Sequence, residues 1–374
     1  MGRISYVKCF SLDLGKGDEL DIRIMKQVPK VIFGRGSFKK LSEVISTYRD
    51  DGYIIFFIDH AHKKTGLVDL LPSDKNDLTF VIDTTSHEPK TDQVDLLRDE
   101  ILKTKNQELP GLIIGIGGGS TMDISKAVSI MLTNEGSSRL YQGWDLVKKP
   151  PITKMGIPTL SGAGTEASRT TVLSATDKKY GINSDQSMFN IVMMDPDLLE
   201  NVPDDQKFFT GMDCYIHGVE ASEGSYINTF GSAYAKQSLE LCTKVFLKEG
   251  GTNDDLMVAS YLGGASVTNS EAGVVHAMSY GISLVLGYRH GLANCIVFRQ
   301  LEEFYPKHVP VFLKMLEINN IVLPENVTKG VNREEMSVMI EMTYRMARPL
   351  TSALGDNWKN ILTEEKIEEL YSKM

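Results

Sequence analysis

Cysteine is scarce in this chain. Four are scattered through 374 residues, Cys9, Cys214, Cys242 and Cys295, with no C-x-x-C spacing, which reads as reduced thiols in a cytoplasmic protein. No apolar run approaches the roughly 20 residues of a membrane-spanning helix, and the N-terminus lacks the charged-then-apolar layout of a signal peptide. An excess of positive charge is also missing. The formal net charge is −9, which argues against nucleic acid or an anionic membrane surface as partner. Neither internal repeats nor low-complexity segments occur. What remains is ordinary for a soluble globular protein, with 42% hydrophobic and 24% charged residues, and a length that predicts about two domains.

The first half reads as alternating strands and helices. Tyr53-Ile54-Ile55-Phe56-Phe57-Ile58-Asp59, Leu78 to Asp83 and Gly111 to Ile116 are short apolar runs, and a helical pattern over Thr91 to Lys103 separates the last two. That order implies a parallel sheet with crossover helices. Residues 1 to about 27, with the polar run Asp13 to Asp21, are expected to add a strand or an arm. Beyond Met194-Asp195-Pro196 the pattern turns helical, as in Ala233 to Lys248 and Pro310 to Glu317. The expected division is an α/β domain over 1–199 and an all-helical domain over 200–374.

Two loops dense in small residues lie in the first half. Gly117-Gly118-Gly119 follows a strand, and Ser120-Thr121-Met122-Asp123 opens a helix behind it. Glycines there let the backbone approach a pyrophosphate, and the free N–H groups of the helix start favour the anion. Gly156-Ile157-Pro158-Thr159-Leu160-Ser161-Gly162-Ala163-Gly164-Thr165-Glu166 is the second loop, and the pair suggests a nucleotide held between them. Asp59 ends its strand either as an acceptor for ribose hydroxyls, which would favour NAD over NADP, or as a cap for the next helix. Asp123 has a similar alternative as a first-turn acid.

Of the seven histidines, three fall into a pattern with one carboxylate. Asp213 and His217 are four apart and share a helix face. His276 and His290 bracket the run that contains Tyr280 to Tyr288. One oxygen and three nitrogens suit Zn²⁺ or Fe²⁺, with positions left free for water or a substrate oxygen. Any one of these histidines alone would read at least as well as an ordinary half-buried side chain with hydrogen-bonded nitrogens.

In order, GGGS-x-x-D, P-T-x-x-G-x-G-x-E, D-P, G-x-D-x-x-x-H, H and H-G-x-A-N resemble the iron-containing (group III) alcohol dehydrogenase family, from about Val28 to the C-terminus. The resemblance implies an α/β dinucleotide-binding domain, an all-helical metal domain and a reaction in the cleft between them. It places Gly117, Gly118, Gly119, Ser120 and Asp123 at the pyrophosphate, Thr159, Ser161 and Lys179 at further cofactor contacts, and Asp213, His217, His276 and His290 on the metal. Lys179 is read equally well as a solvated charge in the turn Asp177-Lys178-Lys179-Tyr180.

One position departs from the family pattern. Tyr280 stands where many members carry a second histidine, and it either donates a hydrogen bond or packs on the cofactor ring. The implied cofactors are NAD and one divalent ion, and the implied reaction is oxidation of a primary hydroxyl to an aldehyde. Tyr288-Arg289-His290-Gly291 and the replaced histidine are similar to the branch that oxidises C8 of 3-deoxy-D-manno-octulosonate, described as an oxidase. An acidic sugar needs a cation in its pocket, which Arg289 or Arg169 supplies. The expected partners are a small-molecule alcohol, with an acidic sugar among the candidates, and a second copy of the chain in a homodimer. Alternatives are a polyol or short-chain alcohol dehydrogenase, a sugar-cyclising lyase, and an idle NAD- and metal-binding structural protein.

Overall fold

The computed structural model describes residues 24–84, 88–176 and 178–374. Cys9 and the expected strand or arm over residues 1 to about 27, apart from residues 24–27, lie outside them. Among the described residues nine strands occur in chain order: β1 (Lys30–Phe33), β2 (Ile54–Asp59), β3 (Leu78–Ile82), β4 (Leu112–Gly117), β5 (Gly143–Trp144), β6 (Lys154–Pro158), β7 (Thr170–Ala175), β8 (Lys178–Asn183) and β9 (Ile191–Met194). Six form one sheet in the order β1-β9-β6-β4-β2-β3, and every pairing in it is parallel.

Both faces of that sheet are covered, which explains the unbroken apolar runs of β2 and β4. Alternate residues of β2 enter different cores. Ile55 and Phe57 pack with the helices α3 (Thr91–Thr104) and α4 (Gly119–Met131), while Ile54, Phe56 and Ile58 pack with the short helix α1 (Leu41–Ile45). From β2 the chain steps outward to β3, then returns past β2 to β4 and on to β6 and β9. The direction of winding therefore reverses between β2 and β4. In doubly wound sheets ligands bind outside the carboxyl ends of the strands at such a switch point, and Asp59 and Gly117 end those two strands.

The chain also forms a three-stranded sheet, β5-β8-β7, that the sequence pattern did not suggest. Its antiparallel pair, β7 and β8, runs through the segment expected as a turn around Lys179. Lys179 is on a strand and is 3% exposed, so the solvated-turn alternative is wrong: the side chain faces inward.

After β9 the described chain contains helices and turns only. A short helix, α2 (His62–Thr65), has by then followed β2, and α5 (Asp204–Glu223) opens the second half. It is followed by α6 (Thr229–Phe246), α7 (Asn253–Thr268), α8 (Val274–Leu286) and α9 (His290–Phe298). The remainder are α10 (Val309–Ile318), α11 (Arg333–Arg345), α12 (Ala347–Leu354), α13 (Trp358–Ile361) and α14 (Glu364–Ser372). Helix α5 is the hub, buried without a break from Gly211 to Ala221. Such burial on all sides explains its weak amphipathic pattern.

The second small-residue loop packs against this half. A Cβ on Gly162 would lie 1.7 Å from the Thr210 carbonyl oxygen, and one on Gly164 (φ +61°) would lie 2.4 Å from the Gly264 Cα. The glycines there are required by close approach to α5 and α7. Ser260 donates to Glu166 Oε1 at 2.9 Å and accepts from Gly162 N–H at 2.8 Å across the same junction.

Candidate active site

Three helices deliver the metal-ligand candidates. Asp213 and His217 lie one turn apart on α5, and His276 sits in the first turn of α8. Helix α8 stops at Gly287, whose φ of +73° is left-handed, and Arg289 returns the chain in an extended conformation so that His290 begins α9. The result is convergence on one oxygen. Asp213 Oδ1 is 3.2 Å from His276 Nε2, 3.6 Å from His290 Nε2 and 3.8 Å from His217 Nε2. Ligand atoms of Asp213, His217 and His276 all lie within 4.8 Å of one another.

The electrostatics suit a cation. Burial alone would raise the Asp213 carboxyl, but the His290, His217 and His276 rings outweigh it and hold the group well below the usual carboxylate range. Burial pushes His217 down to about 4 and His290 down to about 3, so both stay neutral at physiological pH with a lone pair available. His276 differs. Burial opposes its charge, yet Glu220 and Asp213 push it up to about 10.

Two neighbours of the cluster had no role in the sequence reading, although Asn294 closes its H-G-x-A-N motif. Glu220 Oε2 meets His276 Nδ1 at 2.5 Å, and Asn294 Nδ2 donates to Asp213 Oδ1 at 2.7 Å. Helical spacing was the available signal: Glu220 lies seven residues after Asp213, and Asn294 four after His290, each on the ligand's own face.

The cluster opens into a cleft of about 1820 Å³ that runs on to the switch point of the sheet. Gly118, Gly119, Ser120, Asp123 and Thr159 line it, as do Asp59, Lys179, Tyr280 and Arg289. The first N–H groups of α4 have no intrahelical partner and start at this wall. Gly117 and Ser161 are not among the lining residues. A Cβ on Gly117 would lie 2.7 Å from Thr121 Oγ1, so that glycine serves the crossing of strand and helix, and Ser161 Oγ is buried without a partner.

Asp59 Oδ1 accepts from Ala61 N–H at 2.8 Å, and Oδ2 accepts from Thr84 Oγ1 and, at 3.3 Å, Thr121 Oγ1. Asp59 thus closes a local turn onto Ala61 rather than capping the first-turn N–H groups of α2, and it also faces the cleft. Asp123 is buried, with Oδ1 unpartnered. Burial, against the pull of Lys126, pushes its pKa up to about 7. His62, unremarked in the sequence, lines the cleft with its Nε2 2.9 Å from Thr159 Oγ1.

Around Tyr280 the structure assembles a compact group. The ring stands edge-on to His290, centroids 5.8 Å apart, and Lys179 Nζ lies 5.0 Å from the ring centroid while pairing with Glu88 at 2.5 Å. Burial, with Glu88, Asp213 and Asp123 adding to it, raises the phenol well above the usual tyrosine range. The Tyr280 hydroxyl thus stays protonated and is no general base. Arg169 pairs with Asp145 and, at 2.8 Å, with Asp185, so its charge is already matched. Arg289 is exposed at the cleft beside His290, with Nη1 3.4 Å from Gln206 Oε1.

Comparison with known proteins agrees with this geometry. Residues 29–196 match the iron-containing alcohol dehydrogenase family, and residues 207–371 match the C-terminal part of the Fe-containing alcohol dehydrogenase family. The chain belongs to the iron-containing alcohol dehydrogenase family. Alcohol dehydrogenase 4 of Schizosaccharomyces pombe is 29% identical over 214 residues, 55% of this chain and 50% of that protein. Sulfoacetaldehyde reductase of Bilophila wadsworthia is 32% identical over 190 residues, 49% of each. The chain spans about half the length of the curated relatives it matches. In fold it is similar to sulfoacetaldehyde reductase from Bifidobacterium kashiwanohense solved in complex with NAD+, with a TM-score of 0.77, 19% identity, and coverage of 94% of this chain and 98% of that one.

The family's name implies iron, and the residues fit a divalent ion. With metal–ligand bonds of about 2.1 Å, the edges of a tetrahedral ligand set are about 3.4 Å, close to the 3.2, 3.6 and 3.8 Å separations around Asp213 Oδ1. A dinucleotide fits too: the cleft is larger than the ordinary 300–1,000 Å³ of a small-molecule site, on the order of what cofactor plus substrate require. Among the described residues, no helix is long and apolar enough to cross a membrane.

Proposed function

We propose that this chain is an NAD- and divalent-metal-dependent oxidoreductase that interconverts a primary alcohol and its aldehyde by hydride transfer. One observation carries the reading: a carboxylate and three imidazoles converge in the same cleft as the helix start that suits a pyrophosphate. The roles follow from the residues. Asp213, His217, His276 and His290 would hold the ion, which when bound supplies Lewis acidity toward the substrate oxygen. The N-terminus of α4 binds the pyrophosphate through Gly118, Gly119 and Ser120. Asp59 orients the ribose, and Thr159 and Lys179 line the path toward the nicotinamide. Tyr280 donates from its phenol and closes the wall between Lys179 and His290, excluding water from the reacting centre.

The test is a set of primary alcohols offered with NAD to protein loaded with Fe²⁺ or Zn²⁺, following NADH, oxygen uptake and aldehyde together. NADH and aldehyde in equal amounts are expected. Aldehyde formed with oxygen uptake and no NADH would make the protein an oxidase. Full metal loading with no turnover of any alcohol would refute the reading.

Within that class we assign an acidic sugar as substrate, of which 3-deoxy-D-manno-octulosonate with its C8 hydroxyl is the example. The support is the place of Arg289, a cation at the cleft beside the metal-ligand candidate His290. Loss of a charge-assisted bond costs about 1.5–3 kcal/mol, so Arg289→Met is expected to lower kcat/KM about ten- to a hundredfold for the acid and to spare a neutral alcohol. An unchanged acid-to-neutral ratio at full metal occupancy removes Arg289 from substrate recognition. We assign a homodimer as well. Edge strand β1 pairs only with β9 among the described residues and exposes Val31 and Phe33, the kind of edge that another chain covers. A monomer by light scattering would refute it.

A further inference from the structure

Glu220 is a heavily engaged carboxylate near the cleft and has no place in the reaction as described so far. Its side chain is completely buried. Oε2 meets His276 Nδ1 at 2.5 Å, while Oε1 accepts from the backbone N–H groups of Val275 at 2.7 Å and His276 at 3.3 Å. Tyr305 closes the arrangement, its hydroxyl 3.2 Å from Val274 N and 3.5 Å from Glu220 Oε1. Even the residue before α8 is shaped around this contact, since a Cβ on Gly273 would lie 2.8 Å from the Tyr305 hydroxyl and 3.0 Å from Glu220 Oε1.

Neutral imidazole has two tautomers, and only one of them can use Nε2 as a ligand. A carboxylate against Nδ1 accepts a proton there, so that Nε2, the nitrogen facing Asp213, is the one left to ligate once an ion displaces its proton. The same carboxylate holds two N–H groups at the start of α8, so ring orientation and helix position are fixed by one side chain. We propose that Glu220 is a positioning residue of the metal centre: it selects the tautomer and angle in which His276 ligates, and through that hydrogen bond makes the ring a stronger donor to the ion. This rests on the reading of Asp213, His217, His276 and His290 as a metal set. His217 Nδ1 and His290 Nδ1 are both buried without a partner, so among the histidine ligands His276 is the one with a carboxylate brace, and the effect is concentrated on it.

The experiment compares metal-free wild type, Glu220→Gln, Glu220→Asp and Tyr305→Phe. Each is titrated with Zn²⁺ and with Co²⁺ against a chromophoric chelator, and the absorption bands of the Co²⁺ form are recorded. Glutamine presents a single acceptor oxygen, and its amide group opposes either the ring or the backbone N–H groups, so Glu220→Gln should lose about 10–100-fold in affinity and shift the Co²⁺ bands. Glu220→Asp keeps the charge but is one methylene short, and should lie between. Tyr305→Phe leaves the Glu220–His276 contact in place and should stay within about twofold of wild type. The proposal is overturned if Glu220→Gln keeps wild-type affinity and bands, or if Tyr305→Phe loses as much. Should Glu220→Gln not fold, Glu220→Asp decides, and wild-type affinity and bands there would equally overturn it. Wild type that takes up neither ion would refute the metal set itself, and this proposal with it; normal uptake by wild type and Glu220→Gln alike would refute Glu220 alone.

Discussion

Deleting the His276 ring and deleting the His290 ring each remove one nitrogen from the cluster, yet the structure makes them different perturbations. The His276 side chain is 4% exposed and faces a Glu220 carboxylate that is fully buried, whereas His290 is 28% exposed. In metal-free protein, His276→Ala leaves that carboxylate with two backbone N–H groups and the distant Tyr305 hydroxyl as its remaining donors. Breaking a buried pair from one side costs about 3–5 kcal/mol, and the surviving N–H groups place this case near the lower end, about 3 kcal/mol. At about 2–4 °C per kcal/mol for a domain of this size, Tm should fall by about 6–12 °C. His290→Ala should stay within about 1 kcal/mol of wild type, as partly exposed substitutions usually do. The pH dependence has a definite sign. His276 is raised to about 10 in the fold, above its ordinary value of about 6.5. Its contribution is full below about pH 6.5 and is lost as pH rises through about 10. The gap between wild type and His276→Ala should therefore shrink as pH is raised across that window. Denaturant unfolding of chelator-treated protein, with elemental analysis of the reloaded forms, measures all of this. Equal destabilisation by the two variants, or a gap that does not change with pH, would refute the buried-pair argument. Full metal content in both would refute the ligand assignment.

Three further outcomes are expected. Asp59→Ala should relax the choice of NAD over NADP, read as the ratio of kcat/KM, and lower stability by about 1–3 kcal/mol because the Ala61 N–H, Thr84 and Thr121 lose their acceptor; a wild type that already prefers NADP would sink the argument. Tyr280→Phe should leave both limbs of the pH–rate profile in place, since burial keeps the phenol protonated, and a limb that vanishes would mean that the tyrosine titrates in turnover. Gly164→Ala places a Cβ in left-handed backbone 2.4 Å from the Gly264 Cα, which should cost about 2–4 kcal/mol from strain and overpacking together; a wild-type melting temperature would show that the junction yields.

Much of this is legible in the amino-acid sequence. Strands β2, β3 and β4 fall within about a residue of their apolar runs; β2 and β4 are buried at every position, where a parallel sheet covered on both faces leaves a signal that solvent does not dilute. The pair Asp213 and His217 was readable because four residues is one helical turn. The hairpin of β7 and β8 was not. Thr170 to Asn183 contains Lys178 and Lys179 beside Asp177, a composition that propensity assigns to a solvated turn, and only the pairing of Lys179 with Glu88 and the Tyr280 ring makes a buried lysine tolerable. The glycines of the second loop misled for a related reason. Sequence shows that a Cβ is absent but not what occupies its place, and at Gly162 the occupant is a helix backbone rather than a phosphate.

Glu220 marks the boundary between what spacing can and cannot supply. Asp213, His217 and Glu220 stand at i, i+4 and i+7 of α5, one continuous face, and periodicity alone would nominate all three as ligands of a single ion. The three-dimensional arrangement splits them by what arrives opposite. Where the face meets His290 and the Nε2 side of His276, Asp213 and His217 converge on a common point. One turn further on, the face meets the first turn of α8, and Glu220 is consumed by two backbone N–H groups and the far nitrogen of the same imidazole. The difference between ligand and brace is thus made by the register of α8 against α5, set by packing among residues such as Met212, Ile216, Val274 and Val275 in the helical core. A shift of one helical turn in that register, about 5.4 Å, would carry the His276 ring out of reach of the other ligands, so the apolar contacts between these helices are as much a part of the metal centre as the nitrogens.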